Sequence, residues 1–259
     1  MKEKLIDYFI KYLSLNIIKK VFITYLLCWI GFLFSFSLGK FLLYLSSILK
    51  NNYILKPAKV AQTIGTAKFT TVSHTISKTV GVKNMYLDYS LSYIISNFTS
   101  CLIIIFALAT LGYLYKKDLE KVRSIKEKEE IIKNYTKYLF ILFVFTVINP
   151  LTGLIGINLK YLDLIVVLPH GLFEFLGFAI AIVVGLEIAN KICPIVKKNI
   201  SYKKIMALIL CSFIFIFIAG MLEPIDWAIY YYSQIYNIPL LHAIITIYKH
   251  LLLSLVYII

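Results

Sequence analysis

The hexapeptide Pro169-His170-Gly171-Leu172-Phe173-Glu174 opens an apolar run that ends near Ala189. It puts an imidazole and a carboxylate at or just inside the edge of a stretch made for lipid. A proline at a helix start is favourable because its missing amide would have had no intrahelical partner there. His170 and Glu174 are four apart and share a helix face. Together they could move a proton, bind a cation, or supply two of the ligands a metal needs; equally, they could fix helix register by bonding to each other or to a neighbouring span. Five further groups belong to the same inventory: Asn97, in a second apolar run; Glu223 and Asp226, at the end of a third; and Lys249 with His250, inside a fourth.

Such groups must be held by helices. The row Gly177, Ala181, Gly185 repeats a small residue every fourth position and lets a second helix approach closely within a bilayer. Glu174 lies near that row, so its carboxylate is expected to face protein or an internal cavity.

The chain as a whole fits this picture. Its 259 residues are 60% hydrophobic and 15% charged, with a mean hydropathy of +0.84, a composition that a polytopic membrane protein requires and a soluble domain of this size does not. The fold expected is all-α, a polytopic membrane helix bundle of five or six transmembrane helices behind an N-terminal amphipathic interfacial helix. Residues 1–20 form that first helix, with Leu5, Phe9 and Leu13 on one side and Lys4, Asp7 and Lys11 on the other. The pattern fits a membrane surface or another protein surface equally well. Residues 21–259 form one transmembrane domain, with spans at about 21–39, 91–115, 138–157, 164–189, 205–222 and 239–259. The first helix can continue past Lys40 to Ile48. Asn149-Pro150 and Gly153 predict a kink or an unwound exit from the third span.

Between the first two spans lies a Ser- and Thr-rich insertion, 51–89, carrying five lysines (Lys56, Lys59, Lys68, Lys78, Lys83) with apolar residues at helical spacing. It reads as amphipathic helix and as the best partner-binding region outside the membrane. The charged segment 116–137 reads as a solvated helical hairpin or a docking helix. Glu187, four residues before Lys191, is expected to reach that lysine and snorkel to water. Lys249 costs about 2.5 to 3.5 kcal/mol at a bilayer centre, so it is expected to face the bundle interior or a carboxylate.

The net charge is +14, but the basic residues gather at the ends of apolar runs and form no stripe on a soluble module. They are topology signals, which sets nucleic acid aside as a partner. Segments 116–137 and 191–204 hold thirteen basic residues and the short segments 158–163 and 223–238 hold one. The bias places the N-terminus in the cytoplasm and the insertion 51–89 outside the cell membrane, where a long loop weighs little against the rule. His170, Glu174, Glu223 and Asp226 then all lie toward the outer half. Cys28, Cys101, Cys193 and Cys211 occur singly, three of them in apolar runs, and read as buried thiols.

The motif Pro169-His170-Gly171-Leu172-Phe173-Glu174 with Gly177 to Gly185 resembles the signature of the stage II sporulation protein M family. Ile95-Ser96-Asn97-Phe98 resembles that family's earlier Asn-bearing span, and Ala219-Gly220-Met221-Leu222-Glu223 its later span ending in a carboxylate; the likeness covers roughly residues 90–230. The resemblance implies a multi-pass membrane protein without enzymatic activity, whose bacterial namesake works in a complex with peptidoglycan-remodelling partners. The chain is accordingly read as a non-enzymatic subunit of a membrane complex, with the lipid bilayer and protein partners as its surroundings and room for a homo-oligomer. No catalytic residue, cofactor or metal is assigned. The alternative is a transporter or permease subunit with an intramembrane polar site around His170 and Glu174; no Walker motif is present to drive it. A metal site completed by His242, His250, Glu223 or Asp226 is the weakest reading, because the His-Glu-x-x-His arrangement is missing.

Overall fold

A computed structural model describes residues 2–80, 84–148, 150–197 and 200–258. Lys83, Asn149 and Lys198, each part of the sequence signals above, fall outside them. Among the described residues all regular structure is helical. The helices are α1 (Lys2–Ser14), α2 (Ile17–Leu49), α3 (Lys56–Val80), α4 (Met85–Lys121), α5 (Ile125–Ile148), α6 (Pro150–Ile155), α7 (Leu168–Ile192), α8 (Tyr202–Tyr236) and α9 (Leu240–Ile258), with 3₁₀ turns at Asn52–Leu55, Gly156–Asn158 and Leu162–Val167.

Five helical segments are long and apolar enough to cross a membrane, and α9 is a further apolar helix. Large apolar side chains cover their outward faces: Phe22, Ile30 and Phe34 on α2, Ile103 and Phe106 on α4, Phe145 on α5, Phe217 on α8. An aqueous surface would not carry so many, and lipid requires them.

Local sequence sets the helix ends. Asn16 Oδ1 accepts from the Lys19 amide at 2.8 Å, so the helix expected over 1–20 is two: α1 stops at Ser14, and Ile17 and Lys20 belong to the first spanning helix. The apolar side of α1 packs on protein, with Phe9 5.3 Å from Phe140 and 5.5 Å from Phe143 between ring centroids. Asn84 caps α4 by accepting from the Tyr86 amide at 3.0 Å. Asn237, in the left-handed region at φ 52°, ends α8.

The third apolar run is described as α5 up to Ile148 and α6 from Pro150, and Asn149, on which the expected kink or unwound exit rests, lies outside the described residues. One apolar run ends differently from the expectation. The fifth does not end before Glu223-Pro224: α8 carries Pro224 inside it and continues to Tyr236. Proline costs one backbone bond there, but the turns beyond it bury Asp226 and Ile229, the latter among Ala243 and Ile244 of α9.

The helix that carries the motif is the shaft of the bundle. α7 is buried at every residue from Gly177 to Asn190 except Ile188, and it packs on α2, α4 and α8. Its small-residue row works on two neighbours. A Cβ at Gly177 would stand 2.8 Å from Ile216 of α8, and one at Gly185 2.7 Å from Leu108 of α4, while Ala181 between them is fully buried. The insertion 51–89 is largely the single helix α3, packed on α4 and α6. The charged segment 116–137 is an exposed hairpin in which three residues, 122–124, join α4 to α5.

Candidate functional site

α7 starts directly from the 3₁₀ turn Leu162–Val167, with Pro169 in its first turn and no side-chain cap from its own sequence. The first amides of a helix lack partners and carry a partial positive charge. Asp226 supplies the missing cap from α8. Its Oδ2 accepts the backbone N–H of His170 at 3.1 Å and the ring Nδ1 of the same residue at 2.7 Å. Its Oδ1 accepts the Tyr248 hydroxyl of α9 at 2.6 Å. One carboxylate therefore joins three helices, and both Asp226 and His170 are buried. Next to them Gly171 admits Trp29 of α2, whose ring would stand 3.2 Å from an added Cβ.

One turn further along α7, Glu174 Oε1 accepts from Asn97 Nδ2 of α4 at 3.0 Å. His170 and Glu174 share a face as their spacing predicts, yet each bonds to a different neighbouring helix. Glu223 of α8, half-buried, lies within electrostatic range of His170, Glu174 and Asp226. His170, Glu174, Asn97, Glu223 and Asp226 therefore lie around one junction of α4, α7, α8 and α9.

Lys68 joins them from α3. Its ammonium donates to Ser100 Oγ of α4 at 2.5 Å and lies in electrostatic range of Glu174, Cys101 and Glu223. Burial holds it below the usual lysine value, and those three groups partly offset the effect. Nothing in the sequence singled out Lys68 from the other lysines of the insertion, nor Tyr248 from twenty tyrosines. Asp226 had a signal, three residues after Glu223 on one helix, but nothing in the sequence paired it with His170.

Three expectations are corrected. Lys249 does not face the interior or a carboxylate: it is exposed, as are His242 and His250. Tyr248 takes the inward position, and the next residue points about 100° away around the helix. Glu187 does not snorkel toward Lys191. It is buried and paired with Lys20 of α2, and the same ammonium donates to the Leu13 carbonyl at 2.7 Å. Lys191 instead donates to the Ile200 carbonyl at 2.9 Å and rests 3.4 Å from the Tyr202 ring centroid. Cys28, Cys101 and Cys193 are buried thiols, but Cys211 lies on the outward face of α8 and is exposed. Among the described residues no three of His, Cys, Asp and Glu group as metal ligands.

No family model matches the chain, and no solved structure matches it. It is 69% identical over 256 residues to a protein of Methanocaldococcus jannaschii named "Uncharacterized protein MJ0096", an alignment covering 99% of this chain and 98% of that one. A helical chain with five potential membrane spans, organised around a buried His170–Asp226 pair, thus belongs to the same family as that Methanocaldococcus protein.

Proposed function

We propose that this protein is a non-enzymatic subunit of a complex in the cell membrane, with its N-terminus in the cytoplasm, and that it acts as the stage II sporulation protein M family resemblance implies: by holding partners. One observation carries the reading. The polar groups of the motif are engaged by neighbouring helices, His170 by Asp226 and Glu174 by Asn97, which suits a lock on helix register. The positive bias of segments 116–137 and 191–204 supports the orientation. The α3 insertion and the exposed α4–α5 hairpin offer docking surfaces on opposite sides. Crosslinking and mild-detergent purification from native membranes, with wild type beside Glu174→Gln at matched expression, tests this. A defined partner is expected with wild type and weakened with the variant; wild-type protein recovered without any partner would count against it.

A transport role is the second reading, favoured by the convergence of Lys68, His170, Glu174, Glu223 and Asp226 on one junction, since ionisable groups at depth often line ion or substrate paths. Proton or solute movement in liposomes that Glu174→Gln abolishes would establish it.

A further inference from the structure

The pairing of Glu187 with Lys20 leaves a charge unmet one turn further along α7. Lys191 is half-buried, and the carboxylate four residues before it is committed to α2. Its Nζ donates to the Ile200 carbonyl at 2.9 Å and stands 3.4 Å from the Tyr202 ring centroid. An ammonium has three N–H donors, and neither contact supplies a negative charge. From Asn190 to Lys204 the chain has no Asp or Glu. Among the described residues no carboxylate pairs with Lys191, Lys197, Lys203 or Lys204.

The fold holds this ammonium in place. Asn190 Oδ1 accepts from the amides of Ile195 and Val196 at 2.9 and 3.0 Å, and its Nδ2 donates to the Val196 carbonyl at 3.1 Å. Those bonds fix the turn that leaves α7. At the far end of the turn, buried Ile200 and Ile205 share a cluster against which Ile17 and Val21 of α2 pack. The starts of α2 and α8 thus flank the end of α7, and Lys191 is ordered before any anion arrives, so binding costs little further ordering.

Along the helix from this basic end, α8 turns Met206 and Leu210 outward, both exposed. Tyr202, also exposed, stands at its first residue, the level at which tyrosines meet lipid headgroups. Lys203 and Lys204 extend the positive charge through the same turn. A basic rim over an apolar flank fits a ligand with an anionic head and an apolar tail.

We propose that the end of α7 and the first turns of α8 bind an anionic phospholipid: Lys191 meets the headgroup phosphate, Lys203 and Lys204 add to the attraction, and an acyl chain lies over Met206 and Leu210. Basic pockets between spanning helices at their ends hold such headgroups. The ligand is lipid and not free phosphate, because the apolar flank contributes only to a ligand with a tail. The inference stands apart from the complex-subunit reading, since it concerns what the isolated protein binds.

Thermal unfolding in a non-ionic detergent tests it. Wild type, Lys191→Gln, Lys203→Gln/Lys204→Gln and a control, Lys126→Gln/Lys128→Gln, are each titrated with phosphatidylglycerol, phosphatidylcholine or sodium phosphate at equal ionic strength. Lys126 and Lys128 are exposed on the α4–α5 hairpin, so the control removes charge away from the site. Phosphatidylglycerol should raise the Tm of wild type and control by about 3 °C at ten times its dissociation constant, and the other two additions should not. Lys191→Gln should lose the shift, and Lys203→Gln/Lys204→Gln should need several-fold more lipid to reach it. An equal shift with phosphatidylcholine or with sodium phosphate, or a shift that survives Lys191→Gln, overturns the proposal. If Lys191→Gln does not fold, the Lys203→Gln/Lys204→Gln variant decides: weakened binding supports the site, and an undiminished response overturns it.

Discussion

His170 gives two hydrogen bonds to a single oxygen of Asp226, one from its backbone amide at 3.1 Å and one from its ring Nδ1 at 2.7 Å. A side chain on α8 thereby ends the helix that α7 could not cap itself. Asp226→Ala should destabilise the protein by about 3 to 5 kcal/mol, the cost of breaking a buried pair from one side. Asp226→Asn keeps an oxygen for the amide and should cost less. Tyr248→Phe removes one donor to a charged group, worth about 1.5 to 3 kcal/mol. Thermal unfolding in detergent ranks the three; equal costs for Asp226→Ala and Tyr248→Phe would mean the cap on α7 adds nothing.

Lys20 and Glu187 form the second buried pair, at the opposite end of α7. Lys20→Met or Glu187→Leu alone should each cost about 3 to 5 kcal/mol, because a desolvated charge is left behind. Lys20→Met with Glu187→Leu should recover most of the loss. A double-mutant cycle measures the difference directly, and additive losses would show that the two side chains act independently.

Close helix approach predicts a ranking among glycines. At Gly177 an added Cβ meets the Ile216 side chain at 2.8 Å, which can shift; at Gly220 it meets the backbone nitrogen of Ile94 at 2.9 Å, which cannot without moving α4. Both alanine substitutions overpack, at about 1 to 3 kcal/mol, and Gly220→Ala should be the more damaging by Tm and by expression.

The pH dependence of Lys68 has a definite sign. Burial lowers its folded value below the ordinary 10.5. Between those two values the unfolded chain binds more protons than the folded one, so stability rises with pH through that window. Below it, the whole cost of burying the charge is present. Lys68→Met should flatten the rise relative to wild type in the window that ends at pH 10.5. Glu174→Gln removes part of the offset and should extend the rise to lower pH. A wild-type curve that runs parallel to that of Lys68→Met would show that Lys68 is not buried against the bundle.

Local composition was enough to show a helical chain, roughly where its apolar helices lie, and that the helix opened by Pro169 would be met closely by another. Those properties follow from local composition and spacing: long uncharged runs, the proline at 169, the four-residue row Gly177, Ala181, Gly185. The sequence also marked His170, Glu174 and Asn97 as side chains that had to be met by something. Only the tertiary structure decided what meets them. Asp226 is 56 residues from His170, Glu174 is 77 from Asn97, and Glu187 is 167 from Lys20. Such pairings depend on the register and rotation of whole helices, and no periodicity within one helix records them. The corrections have the same origin. Lys191 at i+4 was the local partner for Glu187, but the start of α2 passes the end of α7 and places Lys20 nearer. Lys249 looked inward on cost alone, yet the rotation of α9 had already given that position to Tyr248.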